Sequence, residues 1–528
     1  MVNATRRMLL RVAGAAPALA FGFAAYASQP GSVVAQTRSG RVRGELHDGV
    51  RVFRGIRYGA DTRARRFMPP AAPQPWNEVV DAFEYGPACP QPGLPETTSE
   101  DCLFLNVWTP SSGDAARRPV LVYIHGGAYA SGSGSSALYD GMRLVQRGDV
   151  VVVTLNHRLN AFGYLYLDRS LRRAELADSG MCGQLDLVLA LHWVRDNIAS
   201  FGGDPDCVTV FGQSGGGAKI ATLMAMPAAS GLFHRAATMS GQQVTASGPL
   251  NAAARTRALL DALGLPANAV EEIRNLPAER LVEAMQATDP IIGKGRIYFG
   301  PVLDERSLTR HPFYPDAPPL SAHIPMMIGN TRGETRNLIG RNDPSVFDLR
   351  WEDLPDRLAG EMRADLKPEL VVAEYRRLYP QYSASDVFFA ATTASRSWRG
   401  AVIELEARSR VAADTYAYQL DWPSPADGGK WGACHGLDIP LVFGTLDAPD
   451  SLTGSGADAQ SVSRQVGDAF LAFARTGNPN HAGLPEWRPY RLEERATMVF
   501  DLRSRPMNDP RRDERRLFEK VPFIQQGT

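Results

Sequence analysis

Residues 208–225 read VTVFGQSGGGAKIATLMA, and this stretch decides the fold. VTVF is a β-branched and aromatic run typical of a buried strand, and a helical pattern follows it at once. Between them, residues 212–216 (GQSGG) are the only G-x-S-x-G match in the chain. The stretch therefore predicts a sharp strand-to-helix turn with Ser214 at its centre.

The glycines around Ser214 indicate why a serine stands at this turn. A nucleophile elbow holds its serine in strained backbone, so side chains two positions away must be absent. The serine Oγ is then exposed at a helix N-terminus, where free N–H groups and the helix dipole favour developing negative charge. The alternative is a Gly-rich turn in which Ser214 only caps the helix.

Strand and helix patterns alternate around this turn. The apolar runs at 120–124 (VLVYI) and 150–155 (VVVVTL) suit strands that are covered on both faces. Residues 183–200 and 215–226 have the spacing of helices. The sequence therefore predicts an α/β fold with a central, mostly parallel sheet flanked by helices.

The other segments are expected to surround that sheet. Residues 33–44 and 50–59 alternate like hairpin strands. Residues 251–318 are helical and Pro-rich, and residues 351–412 are largely helical. We interpret both as helical insertions above the sheet, so one domain is predicted over residues 28–528.

The N-terminus predicts export. Residues 1–28 (MVNATRRMLLRVAGAAPALAFGFAAYAS) place three arginines before an apolar stretch that ends in a small-x-small cleavage pattern. The apolar stretch is short for a membrane span of about 20 residues, which favours cleavage after Ala27 over an uncleaved anchor. TRRMLLR resembles the twin-arginine type, with an ordinary signal as the alternative. We expect an exported bacterial protein, periplasmic or extracellular, with no stable membrane anchor.

Composition narrows the partners. The 57 basic and 57 acidic residues leave no net charge, so no nucleic-acid partner is expected. The histidines form no HExxH pair and the cysteines no CxxC, so no metal site is predicted. GSGSSA at 132–137 mimics a dinucleotide fingerprint without directly joining a strand to a helix, so no cofactor is expected. No long heptad run predicts assembly, and we expect a monomer.

Longer stretches resemble the type B carboxylesterases, the family that includes cholinesterases and bacterial para-nitrobenzyl esterases. They keep the family's order over nearly the whole mature chain: SEDCLFLNVWTP, HGGAYASGS, NHRLNAFGYL, WVRDNIASFGGDPDCVTVFGQSGGG, FGPVLDE, IGNTRGET, WGACHGLDIPLVFG and FARTGNPN. The resemblance implies an α/β-hydrolase that cleaves carboxylic esters of small molecules through an acyl-serine intermediate.

The resemblance also assigns a catalytic triad. Ser214 matches the nucleophile, Glu334 the acid and His435 the general base, in the chain order that this fold uses. The family usually has Asp-Glu-Gly around the acid, whereas this chain has Gly333-Glu334-Thr335. The glutamate itself is retained.

Further residues map onto supporting positions of the family. The oxyanion N–H groups map onto Gly127, Ala128 and Gly215, and Ser240 matches a serine close to the acid. Gln213 stands where cholinesterases carry glutamate, and it is expected to form a hydrogen bond beneath the elbow.

The cysteines carry two expectations. Cys89 and Cys102 flank PQPGLPETTSED, export permits a disulfide, and the pair matches the family's first disulfide. Cys434 adjoins His435, so a bulky adduct on its thiol is expected to disturb the general base.

Departures from the cholinesterases indicate the kind of ester. The loop between Cys89 and Cys102 is short and lacks the tryptophan that stacks on a quaternary ammonium, which argues against choline esters.

Small or aliphatic residues at the acyl-pocket positions Gly295 and Ile297 favour a wide pocket. Tyr129, Tyr298 and Phe299 are candidates to line it, with core packing as the alternative. We expect broad activity on apolar acyl or aryl esters.

Other functions use the same machinery. Amide, carbamate, lactone or pyrethroid hydrolysis, acyl transfer, or a narrow natural ester would need the same triad and oxyanion site. The family also contains binding modules that lost the serine, but the presence of Ser214, Glu334 and His435 argues against that alternative.

Overall fold

The computed structural model describes residues 31–111, 116–167 and 173–527, so the predicted export signal lies outside the described residues. Within the described ranges a single sheet of thirteen strands runs through the molecule. Its strands are β1 (Ser32–Gln36), β2 (Arg41–His47), β3 (Val50–Arg57), β4 (Val79–Asp81), β5 (Phe104–Pro110), β6 (Arg118–Ile124), β7 (Val151–Leu155), β8 (Gly203–Gln213), β9 (Arg235–Met239), β10 (Met326–Thr331), β11 (Thr415–Leu420), β12 (Ala496–Phe500) and β13 (Arg505–Asn508).

The centre of this sheet is parallel. The spatial order is β1-β2-β3-β5-β7-β6-β8-β9-β10-β11-β12-β13, with β4 beside β2. From β7 to β12 every neighbouring pair is parallel. The hairpin strands β1 to β3 and the strand β5 add an antiparallel edge, and β13 closes the other side. The predicted α/β fold with a mostly parallel sheet is confirmed.

Helices lie between the strands and in two longer insertions. They are α1 (Met142–Gly148), α2 (Asn160–Tyr164), α3 (Cys182–Asn197), α4 (Gly215–Leu223), α5 (Pro249–Leu263), α6 (Val270–Asn275), α7 (Ala278–Ala284), α8 (Glu334–Leu338), α9 (Leu354–Glu361), α10 (Pro368–Leu378), α11 (Ala384–Thr393), α12 (Arg399–Arg408), α13 (Asp438–Phe443), α14 (Ala457–Thr476) and α15 (Arg512–Phe518). A π-helical turn, Ala394–Trp398, joins α11 to α12.

Alternate residues of β6 show why the strands are apolar throughout. Val120 and Val122 point into one hydrophobic core, and Leu121 and Tyr123 point into a second core on the opposite face. Side chains of α3 belong to the first core and those of α14 to the second. A strand covered on both faces needs a continuous apolar run, which is the pattern that predicted it.

The two predicted insertions differ. Residues 351–412 form α9 to α12, and apolar side chains of α9, α10, α11 and α15 share a third core. In residues 251–318 the helices α5 to α7 end at Ala284, and the following Pro-rich segment contains no further α-helix. Proline lacks the N–H that a helix interior requires. The single domain over residues 28–528 stays a prediction.

Candidate active site

Ser214 stands between β8 and α4, at the turn that the sequence predicts. Its backbone has φ 56° and ψ −125°, which is strained for a residue with a side chain. The backbone N–H of Ser214 donates to the carbonyl of Met239 at 2.7 Å, and its carbonyl accepts from the N–H of Ala218 at 3.1 Å. Both backbone groups are therefore satisfied while the strained conformation is held in place.

The glycines after Ser214 permit close contact with neighbouring backbone. A Cβ atom on Gly216 would lie 1.9 Å from the carbonyl oxygen of Ile124, at the end of β6. A Cβ atom on Gly215 would lie 2.1 Å from the carbonyl oxygen of Ala128. No side chain fits at either position, so the elbow can press directly on the loop that follows β6.

That loop carries the predicted oxyanion groups. Gly127 has φ 79° and Ala128 has φ 53°, so both adopt the left-handed conformation. A Cβ atom on Gly126 would lie 3.2 Å from the Cβ of Ser214, which places the loop beside the serine. The structure thus brings the backbone of Gly127, Ala128 and Gly215 together next to Ser214.

Glu334 and His435 meet although they are distant in sequence. Glu334 begins α8, just after β10, and His435 lies in the loop before α13. The imidazole Nδ1 is 2.5 Å from the carboxylate Oε2. The other oxygen, Oε1, accepts from the Thr331 N–H at 2.9 Å and from the Asn330 amide at 3.2 Å. Both carboxylate oxygens therefore have partners.

The electrostatics of this pair favour an ionised glutamate. Glu334 is fully buried, and burial alone would raise its pKa. The charge and hydrogen bond of His435, followed by the nearby Ser240 hydroxyl and the hydrogen bond from the Thr331 N–H, outweigh burial and lower the pKa. An ionised carboxylate at Nδ1 fixes the proton there and leaves Nε2 as an acceptor.

Gln213 occupies that acceptor. Its side-chain nitrogen lies 3.2 Å from Nε2 of His435, so the amide donates to the imidazole. Asn337 donates to the backbone carbonyl of His435 at 3.0 Å and holds the loop. The Nε2 atom of His435 is therefore in contact with the residue directly before Ser214. The sequence predicted that Gln213 forms a hydrogen bond beneath the elbow, but it did not identify His435 as the partner.

Hydrogen bonds hold Ser240 and Tyr129, two further residues that the sequence analysis singled out. Ser240 follows β9 with φ 52°, and its N–H donates to the carbonyl of Gly329 at 2.8 Å. Tyr129 is buried, and its hydroxyl donates to the side chain of Gln243 at 2.8 Å. Its ring centroid is 6.4 Å from that of Tyr298.

The predicted acyl-pocket residues are not gathered at one surface. Ile297 and Phe299 are buried in the first hydrophobic core. Tyr298 packs against that core, whereas Gly295 borders a cavity of about 660 Å³. The role of these residues in substrate binding stays a prediction.

Sequence reasoning missed Lys219. This side chain on α4 is fully buried, and its ammonium nitrogen donates to the carbonyl oxygen of His125 at 3.0 Å. Burial lowers the pKa of Lys219 to about 7. Lysine on a helix is ordinarily exposed, but the stretch GGGAKIATLMA has no other charged residue and only one other polar one, Thr222, which was an available signal.

The structure shows all five cysteines as free thiols, so the expected disulfide is absent. Cys89 and Cys102 are nevertheless neighbours: a hydrogen bond with Cys89, followed by burial, raises the pKa of Cys102. Cys434 is buried, and burial raises its pKa to about 12. Such a thiol is a poor nucleophile, which argues against the expected disturbance of His435 by an adduct on Cys434.

In the described part of the chain, no helix is both long and apolar enough to cross a membrane. The same residues contain no group of three or more His, Cys, Asp or Glu side chains that could hold a metal ion.

Comparisons with known proteins show the family of the chain. The family model described as Carboxylesterase family matches residues 31–518. The para-nitrobenzyl esterase of Bacillus subtilis is 36% identical over 503 residues, covering 91% of this chain and 97% of that protein. The phenmedipham hydrolase of Pseudarthrobacter oxydans is 34% identical over 508 residues, covering 88% and 94%. A crystal structure of a Geobacillus stearothermophilus carboxylesterase at pH 6.2 superposes with a TM-score of 0.81 at 38% identity, covering 92% and 99%.

The fold and these structural relatives define an α/β-hydrolase. The chain belongs to the carboxylesterase family, and it is a carboxylic ester hydrolase that acts on small-molecule esters. The family resemblance found in the sequence is confirmed.

Proposed function

We propose that Ser214, His435 and Glu334 hydrolyse carboxylic esters as nucleophile, general base and orienting acid. The observation that carries this proposal is the 2.5 Å contact between His435 Nδ1 and Glu334 Oε2, with Nε2 turned towards the strained elbow. Because the pKa of Glu334 is lowered, the carboxylate stays ionised and can stabilise the imidazolium that forms.

The reaction proceeds in two halves. Ser214 Oγ attacks the ester carbonyl carbon while His435 Nε2 takes its proton, and the oxyanion receives hydrogen bonds from the backbone N–H groups of Gly127, Ala128 and Gly215. Collapse of this intermediate breaks the C–O bond, and the imidazolium protonates the departing alcohol. Water then attacks the acyl-serine with the same proton relay, which releases the acid and restores the serine.

The hydrogen bond from the Gln213 amide to His435 must break during the first step. Its amide donates to His435 Nε2 in the structure, and the Ser214 hydroxyl needs the same nitrogen.

A fluorophosphonate, which reacts with activated serines, tests the assignment of the nucleophile. Mass spectrometry should find the adduct on Ser214, and His435→Ala should abolish labelling. An adduct on another serine would contradict the assignment.

The proposed substrates are apolar esters with short-to-medium acyl groups or aryl groups. Gly295 and Ile297 stand at the positions that bulky aromatics narrow in family members with tight acyl pockets, which supports a wide pocket here. A chain-length series of nitrophenyl esters tests this breadth. We expect turnover from acetate to at least hexanoate, and turnover of acetate alone would contradict it.

We further propose that the protein is an exported monomer, cleaved after Ala27, with no membrane anchor. In an oxidising compartment Cys89 and Cys102 would form a disulfide, which the proximity of their thiols supports. Closing this short loop would stabilise the protein by about 3 kcal/mol in the chain-entropy model. Protein purified from the periplasm or medium should begin at Ser28 and lack two hydrogen atoms; an intact N-terminus would contradict export with cleavage.

A further inference from the structure

A second feature of the molecule is a cavity of about 660 Å³ whose lining includes none of Ser214, Glu334 and His435. Its walls come from residues 291–296, from the end of α9 and the residues that follow it, from the π-helical turn, and from residues 524–527. We name it the cationic cavity, because its charged lining consists mainly of basic side chains. These are Arg255, Lys294, Arg296, Arg363 and Arg396.

Two of these basic side chains are neutralised. Arg255 forms a buried ion pair with Asp289 at 2.7 Å, and Arg396 pairs with Glu361 at 2.5 Å. Glu361 is the acidic side chain in the lining. The cavity therefore retains an excess of positive charge.

The remaining three basic side chains have no ion pair within the described ranges. The ammonium group of Lys294 donates only to the carbonyl oxygen of Gly360, at 2.7 Å. Arg296 is exposed and belongs to the lining of the cavity. Arg363 is half-buried. An arginine removed from water without a counter-charge is costly, and a bound anion offsets that cost.

The pKa of Arg363 reflects the cost of burying a guanidinium without a counter-charge. Burial, and secondly the neighbouring charge of Arg396, lower the pKa of Arg363 to about 9. The planar guanidinium presents parallel N–H groups that match a carboxylate in a two-pronged hydrogen bond. A carboxylate is therefore one of the anions that this side chain fits, and it is the one that a half-hydrolysed diester carries.

The cavity is connected to the catalytic acid through the π-helical turn. Ser395 Oγ accepts from the backbone N–H of Arg363 at 3.3 Å. Two residues on, Ser397 Oγ accepts from the Asn330 amide at 2.9 Å, and the same amide donates to Glu334. Such π-turns occur frequently at functional sites.

A second connection leads to the elbow. Gln525, which lines the cavity, accepts from the backbone N–H of Val244 at 3.0 Å. Val244 belongs to the segment after β9, where a Cβ atom on Gly241 would lie 1.9 Å from the carbonyl oxygen of Ser214. Contacts within the protein thus link the lining of the cavity to the segments that hold the elbow and the acid.

We propose that the cationic cavity binds the free carboxylate of an ester substrate, so that the enzyme favours hemiesters of dicarboxylic acids. The proposal rests on the proposed function and deepens it. The volume suits a small molecule. Apolar side chains of Ile291, Ile292 and Met362 also line the cavity, and they would contact the hydrocarbon spacer between the carboxylate and the ester bond.

The test compares two nitrophenyl esters of equal acyl length, the hexanoate and the mono-ester of adipic acid, which differ by one terminal carboxylate. Arg363→Gln and Arg296→Gln should lower the ratio of kcat/KM for the adipate ester to that for the hexanoate ester by about tenfold or more. Arg296 is exposed, so its replacement is tolerated by the fold. Arg350→Gln is the matched control, because Arg350 pairs with Asp353 on the surface and should leave the ratio unchanged.

A ratio that does not change in either cavity variant would overturn the proposal, while turnover of the hexanoate ester would leave the proposed function intact. Free adipate distinguishes a substrate carboxylate from a separate effector. Competitive inhibition of hexanoate ester hydrolysis supports the proposal, and non-competitive inhibition or activation contradicts it. If neither ester is hydrolysed, the proposed function fails. Calorimetry then tests carboxylate binding separately: adipate should bind the wild type more tightly than Arg363→Gln, and equal binding or none would overturn the proposal.

Discussion

Replacing Lys219 with methionine should remove a pH-dependent term from the stability of the protein. The pKa of Lys219 falls from an ordinary value of 10.5 to about 7 because the ammonium group is buried. Between these two values the unfolded chain binds a proton that the folded protein has released, so stability rises with pH. Below pH 7 both states are protonated, and the folded protein bears the full cost of the buried charge.

The magnitude follows from the size of the shift. One pKa unit corresponds to about 1.4 kcal/mol, so the whole window is worth about 5 kcal/mol, of which about 2 kcal/mol falls between pH 7 and pH 9. Lys219→Met lacks this titration. From pH 7 to pH 9, the free energy of unfolding should therefore rise by about 2 kcal/mol more for the wild type than for Lys219→Met.

Urea unfolding, followed by tryptophan fluorescence at pH 7, 8 and 9, measures this difference. Lys520→Met is the control, because Lys520 is exposed and its loss should give a constant offset from the wild type. A constant offset for Lys219→Met as well would refute the reasoning, since it would mean that Lys219 does not titrate in this range.

Three further predictions concern the site. Glu334→Gln should lower kcat for a nitrophenyl ester by a factor on the order of 10⁴, because the amide no longer fixes the imidazole tautomer; a loss below about tenfold would contradict its role. Gly216→Ala should lower the thermal midpoint and abolish turnover, because its Cβ would meet the Ile124 carbonyl at 1.9 Å; an unchanged midpoint would contradict the tight packing. Iodoacetamide should label the partly exposed Cys207 before the buried Cys434 and leave activity intact, and early labelling of Cys434 would show that its loop opens.

The central fold could be predicted because its signals are local. The apolar run at 120–124 lies within β6, the run at 150–155 covers β7, and the glycines at 215–216 mark the turn into α4. The strand β5 was not predicted by pattern, because its antiparallel partners β3 and β7 are fixed by pairing between distant segments.

The site was predictable in its residues but not in its contacts. Motifs placed Glu334 and His435, yet the hydrogen bond between Gln213 and His435 joins positions 222 residues apart. Cys434 adjoins His435 in sequence, but its thiol lies in the second hydrophobic core. The direction of a loop side chain depends on packing, which short motifs do not encode.

The burial of Lys219 was not predicted, for a related reason. The residue type favours the surface, and only tertiary packing beneath the loop after β6 encloses it. The cationic cavity likewise collects basic residues from four separate segments, so no single stretch of sequence announces it.

The most direct test of the account is the turnover of para-nitrophenyl butyrate by the chain beginning at Ser28, compared with its Ser214→Ala variant. Circular dichroism should show that both proteins are folded. We expect steady release of nitrophenol by the intact enzyme and a loss of several orders of magnitude in the variant. Equal turnover by the two proteins, or no release by the folded intact enzyme, would contradict the claim that Ser214 is the nucleophile of an esterase.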